Sequence, residues 1–275
     1  MKMNKTVVVA NRKGGTGKTT TTLNLGWALS LLGYSVLLVD LDSQANLSRG
    51  LGVPDPSKDE QTIVQPMLAY MRDLDFPDKA EYIKTAGRLH FISSNETLSA
   101  LELEMVGAIR RESILKATLD VLKPDYDFIL IDSGPSLGLL TVNALMAGDS
   151  VLIVSSPDSD SNEGTKLLIK SIQMIRRHTG HQIEVDGILM NMVVERMLLT
   201  RDSLAEARTM FGEVIEIYEN MIPRTSQFGR AKMQQKSIFE YAPGSKGANA
   251  YLSFCKEYLQ KGGVILECMQ STIAG

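Results

Sequence analysis

The sequence predicts an α/β fold, a doubly wound, mostly parallel sheet with helices on both faces. Three observations predict it. Apolar strand-like runs alternate with amphipathic helical stretches along the 275 residues, the order that crossover helices between parallel strands produce. The runs 36–39, 128–131 and 151–154 are continuously apolar, which suits central strands buried on both faces. The first run, Thr6-Val7-Val8-Val9-Ala10, leads straight into a glycine-rich loop and then an apolar helix.

In chain order, strands are expected at 6–10, 36–39, 89–92, 128–131, 151–154 and 183–190. Helices are expected at 18–33, 97–122, 137–147, 162–179, 200–212 and 245–260. Residues 52–61, rich in Pro, Asp and Ser, read as a loop. There is no repeat, low-complexity segment or linker, so 1–275 is expected to form a single domain.

Bulk composition excludes several classes. The net charge of −3 gives no global sign of nucleic-acid binding, although a local basic face stays open. Cys255 and Cys268 are far apart with no CxxC pair, against a disulfide scaffold, a zinc site or a cysteine-held cluster. They are expected as reduced thiols of a cytoplasmic protein. The first strand starts almost at once, so no signal peptide is expected. No apolar run reaches the roughly 20 residues that span a bilayer.

Residues 11–20 read Asn-Arg-Lys-Gly-Gly-Thr-Gly-Lys-Thr-Thr. Gly14, Gly15 and Gly17 lack a Cβ, so the backbone can turn sharply and aim N–H groups inward. A helix beginning near Lys18 adds its positive dipole end. Lys18 supplies a point charge for outer phosphates and Thr19 a hydroxyl for Mg²⁺. Thr16 and Thr20 complete the expected cradle. A plain flexible turn is the alternative, but a β-branched strand before it and an apolar helix after it are the context a phosphate loop needs. The usual pattern starts with Gly where this chain has Arg12, and a second lysine, Lys13, precedes the glycines.

Two apolar strands end in acids. Asp40 and Asp42 follow 36–39, flank Leu41 and are expected on one side of the strand. Ligands of open α/β sheets lie beyond the carboxyl ends of strands, so these acids are candidates to position Mg²⁺ or an attacking water. The alternative is that they cap the next helix. Asp132 ends the run 128–131 and is a candidate to hold Mg²⁺ through water. Asp125 and Asp127 precede that strand and read as surface or cap residues.

Two stretches are basic. Lys166, Lys170, Arg176 and Arg177 have no acid between them, and Arg224, Arg230, Lys232, Lys236 and Lys246 stand against Glu240 alone. Solvated helix faces are the alternative reading for both.

These motifs resemble the ParA/MinD family of deviant-Walker ATPases, most closely its ParA-type partition ATPases. Lys13-Gly-Gly-Thr-Gly-Lys-Thr19 is similar to the family's loop, and Val39-Asp-Leu-Asp-Ser-Gln-Ala-Asn46 to its second motif. Residues 126–132 followed by Gly134-Pro-Ser-Leu-Gly-Leu-Leu-Thr-Val-Asn-Ala-Leu145 resemble its third. Met221-Ile-Pro-Arg224 and Ser245-Lys-Gly-Ala248 resemble its C-terminal landmarks.

The resemblance implies ATP and Mg²⁺ as cofactors. It gives Lys18 the β- and γ-phosphates, Thr19 and Asp132 the metal, and Asp42 the attacking water. Lys13 would reach across a homodimer to the partner's nucleotide, a cation supplied in trans. Asn191 and Pro223 match the adenine region, and Arg196 and Arg224 match positions for nonspecific DNA binding, which Arg230, Lys232 and Lys236 would extend. A ParB-like adaptor and nucleoid association in the ATP state are also implied. Ser133-Gly134, Ser43, the stretch 155–160 and much of 225–237 depart from the family's wording. Alternatives on the same fold are a membrane-positioning ATPase, for which 262–275 carries no Lys or Arg, a cluster-bearing reductase, and a switch with little turnover.

Overall fold

The computed structural model of the chain describes residues 3–136, 138–194 and 196–262. β1 (Lys5–Ala10) leads to α1 (Lys18–Leu31), β2 (Val36–Leu41) and α2 (Asn46–Gly50). An excursion follows, with α3 (Val64–Met71), α4 (Lys79–Tyr82), β3 (Ile83–Ala86), β4 (Leu89–Ile92), α5 (Thr97–Met105) and α6 (Ile114–Asp120). The alternation resumes through β5 (Phe128–Ser133), α7 (Leu139–Ala147), β6 (Ser150–Ser155), α8 (Ser159–Thr179), β7 (Glu184–Met190) and α9 (Leu198–Phe211). α10 (Ser226–Met233), α11 (Ile238–Tyr241) and α12 (Lys246–Lys261) close the described chain.

The sheet order is β3-β4-β2-β5-β1-β6-β7. Every pairing is parallel except β3 with β4, which is antiparallel at the edge. Alternation along each strand feeds two cores. Leu37, Val39, Ile129, Ile131 and Val151 face the layer containing α3 and α5–α8, while Leu38, Phe128, Leu130 and Leu152 face α1 and α12. Burial on both faces explains why these strands read as unbroken apolar runs.

The expected strands are present. The helix expected over 97–122 is two helices, broken at 106–113, where Arg110 adopts a left-handed backbone (φ 52°) and Arg111 donates to the carbonyl of Val106 at 2.9 Å. Helices also form at 64–71 and 226–233, where none was expected. The loop over 52–61 holds, with one tight helical turn at Pro56–Lys58. Asp127 accepts from the N–H and hydroxyl of Ser35, both at 2.8 Å, and Asp125 pairs with Lys79 at 2.6 Å, which matches their reading as cap and surface residues.

β7 carries a further constraint. Gly187 has φ 146°, and a Cβ there would lie 2.7 Å from the Tyr218 ring and 2.9 Å from the Glu216 carbonyl oxygen. Gly187→Ala is therefore expected to destabilise the fold by about 1–3 kcal/mol, the usual cost of overpacking a closed site. Urea unfolding checks this, and a wild-type midpoint would contradict it.

Buried Cys255 has its thiol pKa pushed up by burial, the opposite of a reactive or ligating thiolate. Among the described residues there is no group of three or more His, Cys, Asp or Glu gathered as a metal cluster site. Cys268 and the tail 263–275, on which the membrane reading turned, lie outside the described residues. No described helix is long and apolar enough to cross a membrane.

Candidate nucleotide site

The site forms where β1, β2 and β5 end. Asn11 follows β1 and anchors the loop. Its amide donates to the Val154 carbonyl at 2.9 Å and to Thr165 Oγ1 at 3.2 Å, and its Oδ1 accepts from the Lys13 N–H at 3.0 Å. Gly164 of α8 allows this approach, since a Cβ there would lie 2.7 Å from Asn11 Oδ1. Asn11, Gly164 and Thr165 were not singled out from the sequence. Only Asn11, the first residue past the strand, carried a positional hint.

At the far end of the loop Gly17 is left-handed (φ 93°), and a Cβ would sit 2.0 Å from Asn191 Nδ2. That amide donates to the Thr16 carbonyl at 2.9 Å, and Asn191 Oδ1 accepts from the Met192 N–H at 2.8 Å. Asn191, expected at the adenine, is thus a buried strut beneath the loop. Pro223 bridges Val193 in a short parallel pairing, so both residues belong to the same end of the sheet.

α1 starts at Lys18 with no side-chain cap and no acid in its first turn. Its first-turn amides and dipole suit an anion. Buried Thr16 Oγ1 has no hydrogen-bond partner, and a buried orphan hydroxyl beside a phosphate cradle fits a polar ligand. Gly14 and Gly15 border open space. The loop therefore fits a polyphosphate.

Lys18 is 7% exposed, and its ammonium donates to the Lys13 carbonyl at 3.2 Å. Burial lowers its pKa, partly offset by the charges of Asp132 and Asp42. Lys13 points elsewhere. Its ammonium pairs with Asp158 and lies 3.7 Å from exposed Asp160. Burial works against the Asp158 carboxylate, but bonds from Lys13, Ser156 and Ser161 outweigh it and hold its pKa below the usual range.

Asp40 and Asp132 are paired in register on β2 and β5, with 0% and 1% exposure. Burial, and for each a neighbouring carboxylate charge, pushes both pKa values well up. Thr19 and Lys18 pull Asp132 partly back. Buried acids and a hydroxyl offer hard oxygen donors of the kind that Mg²⁺ takes. Asp42 is half-buried beside Gly134, whose Cβ position lies 3.6 Å from the Asp42 carboxyl carbon. Asp40 is engaged differently from a free ligand, because three donors already occupy its carboxylate.

The pH consequence has a definite sign. In the folded chain these two acids keep protons that an unfolded chain releases near pH 4. The folded state therefore binds more protons above that pH, and stability falls as pH rises from about 5 to about 8. The melting temperature of nucleotide-free protein is expected to drop across that range, and Asp132→Asn to flatten the slope. An unchanged slope in that variant would contradict the assignment.

The expected DNA contacts are exposed. Arg224 N–H donates to the Val193 carbonyl at 3.0 Å, which draws the segment bearing Arg224 towards that bearing Arg196. Arg230, Lys232 and Lys236 lie on or just after α10. Lys232 donates to Asn46 at 3.2 Å, and a cleft lined by Thr19, Thr20, Lys232 and Lys236 sets this basic edge against α1. The other basic stretch lies on α8 and partly serves the fold. Arg176 holds the Ile183 carbonyl and Lys166 pairs with Glu163 at 3.5 Å.

A strand–loop–helix cradle facing buried carboxylates defines a magnesium-dependent P-loop nucleotide hydrolase. A family profile described as an AAA domain matches residues 4–185. The chain is 37% identical over 262 residues to the sporulation initiation inhibitor protein Soj of Bacillus subtilis, covering 94% of this chain and all of Soj. It is 32% identical over 259 residues to the chromosome partitioning protein ParA of Caulobacter vibrioides, covering 94% of each. The septum site-determining protein MinD of Pyrococcus horikoshii, solved with Mg-ADP, superposes with a TM-score of 0.74 at 25% identity, covering 94% of this chain and 98% of that one. The chain belongs to the ParA/MinD family. It is an ATPase, with ATP and Mg²⁺ as cofactors.

Proposed function

We propose that this ATPase works as a partition protein. It dimerises on ATP, binds DNA nonspecifically as the dimer, and hydrolyses ATP when a ParB-like adaptor stimulates it. The similarity to Soj and ParA supports this reading. The observation that carries it is the set of exposed basic residues Arg196, Arg224, Arg230, Lys232 and Lys236, of which Lys232 and Lys236 share a cleft with Thr19 and Thr20 of α1.

Each residue has a role in this reading. Lys18 and the amides of residues 14–20 hold the β- and γ-phosphates, and Thr19 and Asp132 hold Mg²⁺. Bound Mg²⁺ offsets charge on the phosphate oxygens. Asp42 orients the water that attacks the γ-phosphate. Asn191 and Pro223 border the adenine end, Asn191 while bracing Thr16. Lys13 leaves Asp158 and Asp160 and turns its charge to the partner subunit's nucleotide, where it neutralises the transferred phosphoryl group. The Lys13–Asp158 pair is about a third exposed, so breaking it costs less than breaking a fully buried pair, and the exchange is open to control by dimerisation.

Affinity for DNA is expected to fall steeply with salt, because phosphate neutralisation supplies it. Arg224→Glu is expected to abolish DNA binding in electrophoretic shifts with ATP present, while ATP affinity stays at the wild-type value. Undiminished DNA affinity in this variant would reject the surface.

A further inference from the structure

We infer that Ser48 is a positioning residue for hydrolysis, clamping the Asp42 loop to the tip of β2 through Asp40. The inference rests on the reading of Asp42 as the residue that orients the attacking water.

The loop between β2 and α2 closes on one buried carboxylate. Asp40 Oδ1 accepts from the Asp42 N–H at 3.2 Å, at the loop's start. Asp40 Oδ2 accepts from the Ser48 N–H at 2.8 Å and from the Ser48 hydroxyl at 2.7 Å, past its end. The direction of that hydroxyl is fixed, because Ser48 Oγ also accepts from the Ser94 N–H at 2.9 Å, just beyond β4. With a lone pair occupied from that side, the Ser48 proton goes to Asp40.

Inside the loop the bonds converge on Asp42. The Gln44 N–H donates to its Oδ1 at 3.0 Å and the Ala45 N–H to its carbonyl at 2.8 Å. Ala45 is left-handed (φ 50°), a conformation that non-glycine residues hold only where surroundings impose it. The clamp supplies such surroundings. Ser48 itself is fully buried and acts through Asp40. Removing its hydroxyl takes one of two donors from Oδ2 and leaves the Ser94 N–H buried without its acceptor, a costly state.

The test measures backbone hydrogen exchange over residues 41–49 of the nucleotide-free protein, together with steady-state ATP hydrolysis. Ser48→Ala is expected to speed exchange there. It should lower kcat about tenfold, below the roughly 100-fold that a full 1 Å misplacement can cost. KM for ATP should stay within about twofold, since phosphate binding lies elsewhere. Ser48→Thr, which keeps the hydroxyl, is expected to restore both readouts. If Ser48→Ala does not fold, Ser48→Cys keeps the volume, weakens the donor and carries the same test. Wild-type exchange in the variant, or faster exchange with wild-type kcat, would overturn the inference. Asp42→Ala, run alongside, separates the two failures. Full turnover there removes the role given to Asp42, whereas lost turnover there with none lost in Ser48→Ala removes the clamp alone.

Discussion

Lys18→Ala is expected to weaken ATP binding about 100-fold or more. The lysine is nearly buried at the start of α1, where its ammonium donates to the Lys13 carbonyl and faces Asp132 and Asp42 electrostatically. Its removal takes the ammonium from the floor of the cradle and leaves the buried acid Asp132 without its nearby cation. Truncating one member of a desolvated charged contact costs about 2–5 kcal/mol, which is the scale of that loss. Isothermal titration with a nonhydrolysable ATP analogue measures it, and wild-type affinity would remove Lys18 from the site. Because dimerisation is proposed to need ATP, the variant is also expected to stay monomeric in size-exclusion runs with ATP.

Asp42→Ala is expected to do the reverse. Asp42 is half-buried at the rim, beside Gly134, and is not part of the loop that holds phosphates. ATP affinity should remain near wild type, whereas turnover falls about 10²–10⁴-fold, the range for losing a positioned proton acceptor. The variant is expected to accumulate as an ATP-bound dimer, seen as a shift in elution and as retained labelled nucleotide. If both variants lose nucleotide equally, or both keep turning over, the division of labour between Lys18 and Asp42 fails.

Much of this architecture was legible in the residues, for physical reasons. The strands at 36–39, 128–131 and 151–154 are buried on both faces, so apolarity alone marks them. The phosphate loop announces itself because glycine, lysine and threonine are each required at set places. The break at 106–113 stayed hidden, because Leu98, Leu101 and Met105 before it and Ile114, Leu115 and Leu119 after it keep a helical rhythm. The reversal comes from the backbone at Arg110. β3 was invisible as a four-residue edge strand whose members are all at least partly exposed.

Within the site, the limit was distance along the chain. Asp40 and Asp42 look alike as acids at a strand tip. What separates them is Ser48, eight positions beyond Asp40 and on the next helix. Asn191 directly follows β7, but its bond to Thr16 spans 175 residues. Lys13 was conspicuous as a surplus cation, while its resting partner, Asp158, lies 145 residues away at the start of α8. Pairings over such separations leave no local pattern.

The most direct measurement is a crystal structure with Mg²⁺ and a nonhydrolysable ATP analogue. The expected result is a two-fold dimer with triphosphate lying in the bend of residues 13–20, and Lys13 lifted from Asp158 to the neighbouring subunit's γ-phosphate. Triphosphate bound away from that bend, or Lys13 still paired with Asp158 in a nucleotide-loaded dimer, would contradict the account.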